Sequence, residues 1–158
     1  MEAAHALREA TAGDAAQIHA LASELAETVG DAMPDEDAIR ARLEALLENP
    51  GARVFVAEAG DGLAGVVSLW VKPDLAHGDV VVEVPMLVVS EEHRRNGVGK
   101  LLMSRVREVA AENDAALIEL VATRANVAAR DFYKSLGFTE ADVVSLEFVG
   151  DVEDPPGE

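Results

Sequence analysis

No cysteine occurs among the 158 residues. Disulfides, thiolate metal sites and cysteine nucleophiles are therefore excluded within this sequence, and the composition fits a reducing compartment. Positive charge is scarce, with 13 Lys and Arg against 30 Asp and Glu and a net charge of −17. Such a surface repels nucleic acid and anionic lipid and attracts cations, so neither nucleic acid nor membrane is expected as a partner. No apolar run approaches the ~20 residues of a bilayer span. Met1 to Ala10 carries Glu2, Arg8 and Glu9 and does not read as a signal peptide, so a cytoplasmic protein is the expectation. The histidines, His5, His19, His77 and His93, stand at no i, i+4 spacing and in no His-Glu-x-x-His, so no metal site is expected.

What remains is globular: 49% hydrophobic and 27% charged residues. The length suits one domain, expected over 1–150, with an acidic tail at 151–158 expected to be disordered. The chain changes period several times. A short strand is expected at Ala4–Glu9. A helix follows with Asp14 as N-cap and Ile18, Leu21, Leu25 and Val29 on one face, closed by Gly30. A second helix runs from Asp37 to Asn49 and stops at Pro50-Gly51. Arg53–Ala59 and Leu63–Val71 read as a hairpin about Gly60-Asp61-Gly62, and Val80–Val89 as a third long strand interrupted by Pro85. A polar loop from Ser90 to Gly99 leads into a helix reaching Asn113. Ala115–Val121 (strand), Asn126–Leu136 (helix) and Val143–Val149 (strand) complete the order β α α β β β α β α β. This is an α/β class chain with one mixed sheet, its β-α-β part parallel by the crossover rule.

The charge is uneven. Arg94 to Lys134 contains eight basic and five acidic residues, or +3, which leaves −20 elsewhere. An anionic ligand at that island is one reading, and ordinary ion pairing on helix surfaces is the other. Within it stands Arg94-Arg95-Asn96-Gly97-Val98-Gly99-Lys100, between a strand and a helix. The first turn of a helix offers unpaired N–H groups and partial positive charge, and glycines allow unusual backbone angles and close approach. The loop therefore suits a diphosphate. A Walker loop fails, because Arg94 holds the place of its first glycine and Leu101 follows Lys100. The dinucleotide fingerprint fails at Leu102. Arg-x-x-Gly-x-Gly is what is left.

That loop, after Leu87-Val88-Val89, resembles the pyrophosphate loop of the GNAT superfamily of acyl-CoA-dependent N-acetyltransferases. Asn126-Val-Ala-Ala129-Arg-Asp-Phe132-Tyr133-Lys-Ser-Leu136-Gly137-Phe138 resembles a second motif of that family, and Arg8-Glu-Ala-Thr11-x-x-Asp14 its opening strand and helix. The resemblance covers about residues 4–149. It implies a GNAT-like fold with a splayed central strand and acetyl-CoA as co-substrate. It also implies an amine acceptor attacked directly on the thioester in a ternary complex. The main chain of Asn96, Gly97, Val98, Gly99 and Lys100, with Arg94 and Arg95, would hold the diphosphate. Leu87, Val88 and Val89 would pair with the pantetheine arm, and Asn126 would cap its helix beside the cofactor. Tyr133, the single tyrosine, would protonate the departing thiolate.

An ammonium has no lone pair, so a base or a water chain to one is needed. Glu83 is the one acid between Asp79 and Glu91, in the apolar run Val80 to Val84, and some family members carry a glutamate base at this place. Desolvation there would raise its pKa; an exposed strand face is the plainer reading. Acidic loops at Asp31–Asp37 and Asp74–Asp79 suggest a cationic acceptor, against a general solubility or salt adaptation. A non-catalytic acyl-CoA sensor is the alternative to an enzyme. A monomer and a homodimer fit equally.

Overall fold

The computed structural model describes residues 5–153; Ala4 and residues 154–158, which carry the start of the expected first strand and the end of the expected tail, lie outside the described residues. The chain divides into two compact units after Asn126. In the first, β1 (Leu7–Glu9), α1 (Ala15–Val29), α2 (Glu36–Glu48), β2 (Ala52–Ala59), β3 (Gly62–Pro73), β4 (Val80–Val89), α3 (Val98–Glu112) and β5 (Leu117–Leu120) follow in order. The sheet order is β1-β2-β3-β4-β5, antiparallel except for the β4–β5 pair. That parallel pair is joined through α3, as a crossover requires.

Strand alternation divides the core between two faces. Val54 and Val56 of β2, Val66 of β3 and Val88 of β4 pack with Ile18 and Leu21 of α1 and Leu43 of α2. The alternate residues face α3. Phe55 lies under the Arg105 guanidinium at 4.9 Å. A Cβ on Gly65 would stand 3.0 Å from Leu102 Cδ1 and 2.9 Å from the Val88 carbonyl oxygen, so only glycine lets α3 lie this close. The β2–β3 turn is the expected hairpin, with Ala59 opposite Gly62.

Asp14 stands at the N-cap position of α1, as expected, but its side chain makes no capping bond there. Its backbone is already helical, at φ −86°, as the last residue of a 3-10 turn at Ala12–Asp14. Its carboxylate instead accepts the Thr11 N–H at 2.8 Å and both arms of Arg8 at 2.8 Å, and Arg8 also binds Glu58. The sequence signal was right about a helix start and wrong about which donors the carboxylate satisfies.

The second unit contains α4 (Val127–Ser135). The expected strand at Val143–Val149 is not formed: this segment makes no ladder, and Val143, Val144 and Leu146 are exposed. Its alternating apolar pattern satisfies the local condition for a strand, but a strand exists only through a partner.

Candidate functional site

β4 carries the geometry that matters. Trp70 pairs with Glu83 and Ser68 with Met86, so Val84 and Pro85 together oppose Leu69 alone. This is a bulge. Pro85 has no N–H to give a regular ladder, which is why the extra residue falls here. On the other side of β4, pairing with β5 stops at Val84 opposite Leu120. Among the described residues no strand lies beside Met86–Val89 on that side. The sheet is thus opened along Leu87, Val88 and Val89. Val88 is itself buried in the core, so its main chain and not its side chain is what this edge offers.

The strand runs straight into the loop. Ser90 N–H bonds the Ala64 carbonyl at 2.8 Å, and Ser90 Oγ lies 2.7 Å from His93 Nδ1. Arg94 Nε reaches back to the Val89 carbonyl at 3.3 Å. Arg95 and Gly97 both take left-handed backbone, at φ 69° and 79°. Gly97 is the residue before α3, and its carbonyl accepts the Leu101 N–H at 2.9 Å. The N–H groups of Val98, Gly99 and Lys100 therefore open the helix with no partner one turn behind them. A Cβ on Gly97 would meet nothing within 4 Å, so the glycine serves its positive φ rather than clearance from neighbouring protein atoms. Val98 is buried and pins the helix start to the sheet, while Arg94, Arg95, Asn96 and Lys100 are exposed. The arrangement is a helix N-terminus with Arg94 and Arg95 in the loop before it and Lys100 in its first turn, which suits a diphosphate.

Glu83 sits just before the bulge, opposite Trp70 on β3 and Glu119 on β5. It is not the isolated carboxylate that its apolar neighbours suggest. Lys72 Nζ donates to its Oε2 at 2.6 Å, and the two side chains are 44% and 39% exposed. The sequence reading missed Lys72. Its pKa is raised, chiefly by the hydrogen bond to Glu83, with Glu119 and Asp74 adding to it. Asp74 bonds the His77 backbone and ring at 2.6 and 2.8 Å, so the Asp74–Asp79 loop is partly held by its own contacts.

In the second unit, the Tyr133 ring packs edge-on against Phe132 and Phe138, with centroids 5.2 and 5.7 Å away. Gly137 at φ 97° turns the chain so that the Phe138 N–H reaches the Tyr133 carbonyl at 3.1 Å. This explains the spacing of the Phe-Tyr-x-x-Leu-Gly-Phe run as a helix end that closes on its own aromatics. Burial pushes the Tyr133 phenol up to about 12. Asn126 directly precedes α4, and its N–H bonds the Thr123 carbonyl at 3.0 Å.

Among the described residues no group of three or more His, Cys, Asp and Glu is placed to hold a metal ion, and no helix is long and apolar enough to cross a membrane.

Comparison with known proteins agrees with this geometry. Residues 16–138 match the acetyltransferase (GNAT) family. Over 103 residues the chain is 31% identical to an N-acetylaspartate synthetase of Xenopus tropicalis, a match that takes in 65% of this chain and 36% of that protein. The chain thus spans about a third of that relative's length. Among solved structures, a possible acetyltransferase from Clostridium difficile 630 superposes with a TM-score of 0.80 at 19% identity, over 94% of this chain and 99% of that one. A transcriptional regulator from Bacillus halodurans C-125 gives 0.81 at 22% identity, over 92% and 99%. An aminoglycoside acetyltransferase from an uncultured soil metagenomic sample gives 0.76 at 21%, over 93% and 97%. At these identities the structures share the fold. With the family match spanning both sequence motifs, the opened β4 edge and the glycine-led start of α3, the chain belongs to the acetyltransferase (GNAT) family.

Proposed function

We propose that this chain is an N-acetyltransferase that moves the acetyl group of acetyl-CoA to a primary amine. The observation that carries the reading is the continuity of β4 with the loop: an unpaired strand edge at Met86–Val89 leads within a few residues to the N–H groups that open α3. An extended amide chain ending in a diphosphate needs those two features in that order. Arg94, Arg95 and Lys100 would neutralise the diphosphate, and the N–H groups near Leu87 and Val88 would also suit the oxyanion of the tetrahedral intermediate.

In the proposed reaction the amine nitrogen forms the new C–N bond as the C–S bond breaks. One amine proton passes to Glu83, directly or through water, and the sulfur leaves as a thiol with a proton from Tyr133, which solvent later restores. Support for Tyr133 is chemical: with a pKa near 12 it stays protonated at any working pH. Complete transfer to a free thiolate, with pKa ~8.5, would run uphill. The phenol therefore acts first as a hydrogen-bond donor to the sulfur, and its reprotonation by solvent draws the uphill transfer to completion. Positioning of the two substrates supplies the rest.

For the acceptor we favour a cationic amine, since the protein carries −17 and the open face beside Glu83 holds Glu119 as well. The Xenopus relative's name points to an amino-acid acceptor, and an acidic amino acid belongs in the same panel. Calorimetric titration with acetyl-CoA, with ATP and NADH as controls, tests the cofactor. Saturation by acetyl-CoA alone supports the reading, and equal binding of ATP overturns it. Thiol release with a diamine, an aminoglycoside, aspartate and a peptide N-terminus then tests the transfer. Acetyl-CoA binding with no thiol release across the panel, and no effect of Tyr133→Phe, would leave the sensor reading instead.

A further inference from the structure

We propose that Lys72 is a positioning residue for Glu83, locking its carboxylate in the orientation that takes the acceptor's proton. The inference rests on the reading of Glu83 as base. Register places Lys72 opposite Val81 and Trp70 opposite Glu83, so Lys72 and Glu83 are diagonal neighbours on one face of the β3–β4 pair. The pair forms a short charge-assisted bond, 2.6 Å from Nζ to Oε2. Among the described residues Oε1 has no protein partner. One oxygen is anchored and the other is left to accept a proton from outside.

The need for an anchor follows from the surroundings. Glu83 is 39% exposed and has three rotatable side-chain bonds, so packing alone does not fix it. Glu119 stands directly across from it on β5, and like charges at facing positions repel. The Lys72 ammonium, which feels Glu83, Glu119 and Asp74, offsets that repulsion and holds Glu83 over its own strand pair. Lys72 does not compete for the reaction: its raised pKa keeps it an ammonium at neutral pH, with no lone pair to act as base or nucleophile.

The test compares Lys72→Met, Lys72→Arg, Glu83→Gln and the double variant Lys72→Met/Glu83→Gln. The assay uses the best alkylamine of the panel and 2,2,2-trifluoroethylamine, whose weak basicity removes the need for a general base. With the alkylamine, Lys72→Met is expected to lower kcat about tenfold, a cost of misplacement. KM for acetyl-CoA and the melting temperature should stay unchanged, and Lys72→Arg should restore most of the rate. With trifluoroethylamine the loss should vanish, and in the Glu83→Gln background Lys72→Met should add nothing. Retention of wild-type kcat in Lys72→Met, or a loss that adds in full to that of Glu83→Gln, overturns the positioning role and leaves the base standing. Wild-type kcat in Glu83→Gln overturns the base and the inference with it. A crystal structure of Lys72→Met reads the same point without turnover: Glu83 spread over several rotamers is expected, and a single rotamer matching the wild type overturns the proposal.

Discussion

At Tyr133, burial raises the phenol to about 12, and the sign of that shift decides its use. A group whose pKa lies far above neutrality is protonated throughout the working range, so Tyr133 contributes no alkaline limb to the rate until the pH nears its own value. Tyr133→Phe removes one hydroxyl from a ring already held by Phe132 and Phe138. Its expected signature is a fall in kcat of about 100-fold, the lower range of general acid catalysis, with the dissociation constant of acetyl-CoA unchanged. Single-turnover rates and calorimetry on the same preparation separate the two. Asp14 is the opposite kind of residue, with an effect on folding alone. Its carboxylate is nearly fully buried and held below the ordinary range by Arg8, then by the Thr11 N–H. A depressed carboxyl stabilises the fold above its unfolded pKa and loses that contribution as pH falls through the folded one. Asp14→Asn is expected to cost about 2 kcal/mol at pH 7, the range of a hydrogen bond to a charged group. The gap from wild type should narrow as pH drops below the carboxylate range. Denaturant midpoints at pH 7 and pH 3 check both.

At the scale of elements, β4 and α4 show what local sequence carries. The bulge was legible because Pro85 cannot serve a regular ladder wherever it sits, and the opening of α3 because a left-handed Gly97 before an apolar helix is a local pattern. The Lys72–Glu83 pair was missed, because it depends on cross-strand register: only with Pro73 opposite Val80 does Lys72 fall diagonal to Glu83. The strand at 143–149 was misread because pairing is not a property of the segment. The N-cap place of Asp14 was legible, while the main partner of its carboxylate was not, because Arg8 comes from another element. α4 adds an acid-range prediction. Arg130 Nε and Nη2 bond Glu140 at 2.7 and 3.0 Å, and Lys134 lies 3.1 Å from it, which holds its carboxyl down at about 2. The contact therefore ties the segment after α4 to the helix above the ordinary carboxyl range, and is lost as pH falls toward 2. A carbon-13 titration should place the Glu140 midpoint near 2 at low salt, and Arg130→Met should return it toward the ordinary value near ~4.3. A midpoint already ordinary in the wild type would show that the contact does not persist in solution.

At the scale of the whole molecule, the question is what the charge of −17 is for. The one cationic stretch, Arg94 to Lys134, contains the loop that suits a diphosphate, so the two proposed substrates differ in the field they meet. Acetyl-CoA is an anion drawn to a local positive site on a repelling body. A cationic acceptor is drawn by the body itself. Screening acts on long-range attraction first: the Debye length falls from ~30 Å at 0.01 M salt to ~8 Å at 0.15 M. If the acidity serves acceptor capture, kcat/KM for a diamine should fall several-fold across that range, an order-of-magnitude expectation for a steered encounter. A neutral amine under the same conditions should hold constant. Acetyl-CoA should respond in the reverse sense or not at all, since its long-range repulsion is screened together with its local attraction. Measuring all three in one salt series separates the causes. A diamine rate as flat as that of the neutral amine would mean that the negative surface serves solubility, and that the acceptor is chosen by contacts on the open face around Trp70 and Glu83.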